Sequence, residues 1–519
     1  MKNRRHDLRA LSRSFHSTPE NTHAGSGLSR SALRLGATLL CVTVLSTLGC
    51  AQVGLSTDTP PATRTTEQNA LASAHAEAAP RPSLSAAALS TQALSLPQAN
   101  PESVGLSSAA LARLDRVLEG FVDREQIPHF QLQVARRGKL VHEHIYGTMS
   151  RESGEPLGRD SIYRLYSMTK VITGVATLIA YEQGRFLLHE PVANYLPELA
   201  DVRVMEWGTN GRSAIVDAER PITILDLLRH TSGFSYNFIA PSPLGKMYTE
   251  AGITPGLKPG ARPSALGEPG PNEGIDLEEM VKRLGEIPLI AQPGTAWNYG
   301  VSMDVLGRLI EVTTGRPFDA FLEEEIFLPL GMRDTAFFVS EDRLDRFPAC
   351  YIPTPDQGMA LQDDPRLSGY RKRPALPSGG GGLVGTADDY MRFAQMLLNQ
   401  GRVAERQLLS PRVLRMMMTN QLPQDTFGAR PLAALYGRTL ANDSLGVGFG
   451  LTGSVITDST YTGLPVSEGS FGWGGAASTY FWVDPEEDIA VIFMTQLLGS
   501  STYPLRPHLM KGIGAALLD

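Results

Sequence analysis

From Ser107 onward, apolar side chains recur at three- and four-residue spacing: Leu111, Leu114, Val117, Leu118 and Phe121 share one face behind a serine able to cap the first turn. That spacing predicts an amphipathic helix. The period then shortens to two. Gln131–Arg136 and Leu140–Tyr146 flank Arg137-Gly138-Lys139, which predicts a β-hairpin. From Met168 to about Asn420 the chain reads mainly as helices between Gly and Pro breaks, among them Ile224–Arg229, Leu277–Leu284, Met303–Thr313 and Tyr390–Leu398. β-rich segments return at Gly446–Leu451, Ser478–Val483 and Ile489–Thr495, and a last helix is expected from about Leu505 to Leu517. Strands at both ends with helices between them predict an α+β fold. One antiparallel sheet is built from the N- and C-terminal strands and flanked by helices, with a mainly helical inserted subdomain.

The pattern fails before Ser107. Residues 52–101 are rich in Ala, Ser, Thr and Pro, a composition that buries too little surface to offset the entropy of ordering, and they are expected to be a tether. Ahead of it, Leu35–Leu48 is apolar, follows basic residues and is too short to span a bilayer comfortably. Residues 1–51 therefore read as a signal peptide and predict export. Thr47-Leu48-Gly49-Cys50 resembles a bacterial lipobox, although such boxes usually carry Leu where Thr47 stands. Cys50 is thus a candidate lipidation site, and a cut after Ala51 competes. The mature protein is expected in the periplasm or anchored as a lipoprotein of a bacterial envelope, with residues 102–519 as its folded domain.

Composition narrows the class. With 42% hydrophobic and 19% charged side chains over 519 residues, the chain is neither disordered nor collagen-like. Net charge is −7, and the first 50 residues carry seven basic against two acidic side chains, leaving about −12 on the rest. A nucleic-acid partner is not expected. Cys41, Cys50 and Cys350 cannot build a disulfide framework or a cysteine metal site. His142 and His144 share a strand face with no further ligand nearby, so neither metal nor cofactor is expected.

Three segments carry candidate chemistry. Ser167-Met168-Thr169-Lys170 precedes an apolar run and would occupy the first turn of a buried helix, with Ser167 and Lys170 one turn apart on one face. Among Val, Ile and Leu a lysine cation loses solvation, which favours the neutral amine able to take the serine proton. The plainer alternative is a serine cap with a solvent-facing lysine. Tyr299, in Pro293-Gly294-Thr295-Ala296-Trp297-Asn298-Tyr299-Gly300, stands at a loop-to-helix junction, as a proton relay or as a core aromatic. Trp473-Gly474-Gly475-Ala476 leads toward a strand. Its glycines permit close backbone approach to a ligand, or merely a tight bend.

Together and in this order the segments resemble the serine β-lactamase and penicillin-binding-protein superfamily, most of all the class C β-lactamase-related esterases (family VIII carboxylesterases). Leu227-Leu228-Arg229-His230-Thr231-Ser232-Gly233-Phe234 and Gly379-Gly380-Gly381-Gly382-Leu383-Val384 strengthen the resemblance. It implies that Ser167 is acylated, Lys170 is its base, Tyr299 shuttles protons, and the Ser167 and Ala476 N–H groups form an oxyanion hole. Trp473, Gly474 and Gly475 would form the third, substrate-binding motif. Class C β-lactamases and D-Ala-D-Ala peptidases carry an amide two residues after the tyrosine and a lysine at the start of the third motif. Here Val301 and Trp473 stand at those places.

A neutral ester therefore fits better than a carboxylate-bearing β-lactam. The expected function is an exported serine hydrolase cleaving small or medium carboxylic esters. The alternatives are a β-lactamase or D-amino-acid peptidase, with Arg371, Arg373 or another arginine supplying the missing cation, and a non-catalytic envelope binding protein. His230 reads as a helix stop rather than a triad base, and no Gly-x-Ser-x-Gly occurs. In the long Ser235–Gly274 stretch, Tyr236, Phe238 and Met247 are expected to line an acyl or alcohol pocket, or else to belong to a surface insertion.

Overall fold

The period-two segments pair into one sheet. β1 (His129–Arg136), β2 (Lys139–Gly147), β3 (Val447–Phe449), β4 (Ser454–Ile456), β5 (Phe471–Gly474), β6 (Tyr480–Asp484) and β7 (Ile489–Met494) lie in the order β3-β4-β5-β6-β7-β1-β2, every neighbour antiparallel. The N-terminal hairpin joins the C-terminal strands where β1 pairs β7, with Val134 opposite Val491. This computed structural model describes residues 96–208, 213–254, 275–356, 358–422 and 446–519. The predicted signal segment, Cys50, the tether up to residue 95 and the 255–274 part of the long loop lie outside the described residues.

Both faces of the sheet are covered, which is why β1 and β7 are buried at every position. Helices α1 (Ser108–Asp123) and α7 (Leu505–Gly514) pack Leu111, Leu114, Leu118, Leu509 and Ile513 against Leu132, Val491 and Phe493. Ala490, Ile492 and Met494 point the other way, toward the helical part of the molecule. There stand α2 (Thr169–Glu182), α3 (Ile224–Leu228), α4 (Leu277–Gly285), α5 (Ser302–Thr314) and α6 (Ala387–Leu398). Ser107 caps α1 by accepting the Ala110 N–H, as its sequence position predicts. Truncating fully buried Phe493 to alanine would cost about 3–5 kcal/mol, because it fills the space between sheet and helices. Among the described residues no helix is long and apolar enough to cross a membrane.

Several elements differ from the sequence reading. Phe471–Gly474 is itself a strand, hidden in the sequence by Gly472 and Gly474. A β-carbon on Gly472 would lie 2.3 Å from the Phe481 carbonyl oxygen, so glycine is what lets β5 pair β6 here. Short ribbons interrupt the helical middle, among them Arg203–Trp207 with Ser213–Asp217 and Cys350–Pro353 with Met359–Asp363, both too short to show a clear period. The Ala99 N–H bonds the Leu140 carbonyl and the Leu140 N–H bonds Pro97, so strand-like pairing reaches back into the end of the Ala/Ser/Thr/Pro segment.

Candidate active site

Ser167 lies in a 3₁₀ turn, Tyr166–Met168, just ahead of α2 rather than in the first α-helical turn expected. Every residue from Thr169 to Ala180 is buried, because α2 runs through the core apolar on all sides. Lys170 is fully buried with it, which removes the solvent-facing alternative. Its Nζ stands 3.3 Å from Ser167 Oγ and 2.8 Å from the Tyr236 hydroxyl, and it donates to the Gly380 carbonyl. The glycine segment that supplies this carbonyl is pinned to α2. Thr173 Oγ1 donates to the Gly379 carbonyl at 2.8 Å and the Leu383 N–H to Thr169 Oγ1 at 3.2 Å.

Tyr299 meets Lys170 through its ring, whose centroid is 4.7 Å from Nζ, a cation–π distance. Its hydroxyl oxygen accepts the Trp473 Nε1–H at 3.2 Å. The second and third sequence segments are thus joined directly. Trp297, His230, Phe449 and Trp473 complete a wall of rings, with His230 4.8 Å and Trp473 5.7 Å from Tyr299. The turn after β5, which holds Gly475 and Ala476, packs on the residues just before Ser167. The Gly475 N–H bonds Thr479, and a β-carbon on Gly475 would lie 2.4 Å from the Leu165 carbonyl, so this turn rests on the segment leading into Ser167.

His230 ends α3 as expected: it stands just past the helix with φ of +58°, and its backbone N–H bonds the Leu227 carbonyl at 3.3 Å. Its side chain takes no part in the stop, since neither ring nitrogen has a hydrogen-bond partner among the described residues. Burial first, and the Lys170 charge second, push its pKa well below the ordinary imidazole value and keep it neutral. Asp226, four residues earlier, is engaged elsewhere. Against the effect of burial, hydrogen bonds from Arg220, Thr223 and Thr231 hold it below the usual carboxylate range. No Ser–His–Asp relay is assembled around His230.

The beta-lactamase family profile matches residues 114–514. The chain belongs to the beta-lactamase family. It is similar to Protein Rv1367c of Mycobacterium tuberculosis, 31% identical over 366 residues that cover 70% of this chain and 84% of that protein. Esterase EstB of Burkholderia gladioli is 29% identical over 414 residues, covering 76% and 93%. Among solved structures, EstCE1, a hydrolase with promiscuous acyltransferase activity, superposes with a TM-score of 0.62 at 24% identity. The match covers 79% of this chain and 99% of that one and shows the shared fold. This beta-lactamase family member is an enzyme of the serine-hydrolase class.

The rest of the site separates the expected lining residues. The Tyr236 hydroxyl is taken by Lys170, and burial pushes its pKa well above the ordinary phenol value, with Tyr299 and Asp304 adding to the effect. Phe238 lies flat on Tyr236, ring centroids 5.1 Å apart and planes 9° apart, and is 44% exposed at the rim. Met247 is half-buried against the helical core. Arg371 is paired with Glu341 and Arg373 with Asp319, so neither arginine is free to serve the site. Arg506 on α7 is the cation beside the third motif. Its Nη2 would lie 2.4 Å from a Gly474 β-carbon and its guanidinium lies over Tyr480, on the opposite strand face from Trp473.

Sequence reasoning missed Asp304, fully buried near Lys170. Its signal was an acidic residue on the apolar face of the helix that follows Tyr299. His142 bonds Asp115 at 2.8 Å and His144 bonds Glu119 at 2.9 Å, tying β2 to α1. Among the described residues no group of three His, Cys, Asp or Glu side chains is arranged to hold a metal.

Proposed function

We propose that this enzyme hydrolyses neutral carboxylic esters of small or medium size through an acyl-enzyme on Ser167. The observation that carries the reading is the fully buried Lys170, whose Nζ is 3.3 Å from Ser167 Oγ beside a wall of aromatic rings. Lys170 takes the Ser167 proton as Oγ attacks the ester carbonyl. The Ser167 and Ala476 N–H groups receive the oxyanion, the position where preorganised donors matter most. Tyr299, its oxygen already accepting the Trp473 N–H, has its own proton to give the leaving alcohol. Tyr236 holds Lys170 in place, and Phe238 borders the entrance. Water then attacks the acyl-enzyme by the reverse path.

The likeness to Esterase EstB supports ester chemistry. Val301 is buried in the core and Trp473 faces Tyr299, so apolar side chains stand where related enzymes place an amide and the lysine that meets a carboxylate, which favours esters over β-lactams. A second reading, acyl transfer to an alcohol in place of water, is supported by the ring wall, which disfavours water, and by the likeness to EstCE1. The basic and apolar opening of the sequence supports export, with Cys50 as the candidate lipid anchor. The experiment for the chemistry is fluorophosphonate labelling beside turnover of a p-nitrophenyl ester series and nitrocefin. Labelling on Ser167 with ester turnover is expected, and an unlabelled Ser167 in an ester-hydrolysing protein refutes the proposal. For export, mass spectrometry of the native N-terminus should find Cys50 or Gln52 first, and an intact Met1 on the major species would refute it.

A further inference from the structure

The reaction just described leaves one buried acid without a task. Asp304 stands on α5, five residues beyond Tyr299, and is fully buried. Its Oδ1 accepts hydrogen bonds from Ser378 Oγ at 2.5 Å and from the Gly380 N–H at 3.3 Å, while Oδ2 has no hydrogen-bond partner among the described residues. Gly380 thus has its N–H on Asp304 and its carbonyl on Lys170 Nζ. A β-carbon on Gly380 would lie 2.7 Å from Asp304 Oδ2 and 3.0 Å from the Tyr236 hydroxyl. Carboxylate, phenol and lysine therefore close around one glycine.

We infer that Asp304 is a positioning residue for the Lys170 base: it clamps Gly380 so that the carbonyl meets Nζ, and its charge opposes that of the buried ammonium. A buried charge is retained where hydrogen bonds and an opposite charge compensate it; Asp304 has the hydrogen bonds of Ser378 and Gly380 and feels the Lys170 charge across that glycine, without a direct ion pair. Burial raises the Asp304 pKa, while Ser378, Lys170 and Gly380 act against the rise. The other titratable groups facing Lys170 are Tyr236 and His230, from the segment after α3, and Tyr299, from the segment before α5. Tyr236 is held far above its ordinary value and His230 far below. Neither titrates near neutrality, which leaves the anionic partner of Lys170 to Asp304.

The inference rests on the acyl-enzyme reading, and two variants of the full chain test it separately. Asp304→Asn keeps an acceptor oxygen for Ser378 and Gly380 and removes the charge, whereas Asp304→Ala removes both. Loss of a nearby anion disfavours the cation, so the acid limb of kcat/KM for p-nitrophenyl butyrate should move about one pH unit lower in the Asn variant. The Ala variant should lose at least about tenfold in kcat with KM within about twofold. An Asn variant that melts like wild type and has a superimposable pH profile overturns the inference, whether or not the Ala variant folds. Fluorophosphonate labelling of Ser167 in the wild type separates the two failures. Without labelling the acyl-enzyme reading falls, and with labelling but an unmoved limb only the role of Asp304 does.

Discussion

On one side of Ser167 the contacts are polar and directed. Lys170 is fastened between Ser167, Tyr236 and the Gly380 carbonyl, and that glycine segment is in turn fastened to Thr169 and Thr173. On the other side, Tyr299, Trp297, Phe449, Trp473 and the uncharged His230 meet ring to ring, with one hydrogen bond, Trp473 to Tyr299, among those contacts. The two walls are built from different physics. Proton transfer needs heavy atoms held within hydrogen-bond reach, which directed bonds supply. Selection of an uncharged substrate needs a surface that charged groups enter only at a desolvation cost, which rings supply.

The largest effect should come from the polar wall. Ser167→Ala is expected to abolish ester turnover and fluorophosphonate labelling without unfolding the chain, and labelling of the variant at a comparable rate would break the assignment. Next in size is selectivity, which belongs to the ring wall. kcat/KM for a short neutral ester should exceed that for nitrocefin by at least about 10³, roughly 4 kcal/mol in transition-state binding. Comparable efficiencies would mean that a cation serves the site after all. Lys170→Ala and Tyr299→Phe should each lower kcat at least about a hundredfold. Turnover of p-nitrophenyl butyrate within a few-fold of wild type would make the altered residue structural. Tyr236→Phe, which removes one anchor of Lys170 and no reacting group, should cost about tenfold in kcat with KM little changed. A larger loss than that of Tyr299→Phe would transfer the proton relay to Tyr236.

A last prediction concerns stability rather than rate. It tests the burial rule that keeps His230 neutral, on a histidine away from the site. His129 is fully buried on β1, and burial, against the hydrogen bond to the Thr148 carbonyl, pushes its pKa down to about 4. Its folded state prefers the neutral ring, so the unfolded chain binds the extra proton as pH falls below 6.5. Stability present above pH 6.5 should decline toward pH 4 by roughly 3 kcal/mol. Urea melts across that range should show a shallower decline for His129→Gln, and an unchanged slope would exclude His129 as the source.

Much of the fold was legible locally. The spacing of Leu111, Leu114 and Leu118, the alternation through Gln131–Tyr146 and the β-rich end of the chain were read as elements that the structure contains, because one-sided burial leaves a periodic trace. The spacing of Ser167 and Lys170 put both on one helix face and made their contact a candidate, which burial of Lys170 then turned inward. Strand β5 and the two ribbons left no such trace, because they are short or interrupted by glycine, and Gly472 is there for a close approach that becomes evident once Phe481 lies opposite.

Length, composition and local period were enough to determine the α+β class, the main helices and the serine–lysine pair. Tertiary structure alone decided that Lys170 has no solvent and leans on Tyr236, that Tyr299 gives it a ring face and turns its hydroxyl to Trp473, and that Asp304 closes the group through Gly380. Lys170's own partners are 66 to 210 residues away along the chain, and Trp473 is 174 residues from Tyr299. Periodicity reports which side of an element is buried. The partner waiting on that side is chosen by how distant elements pack.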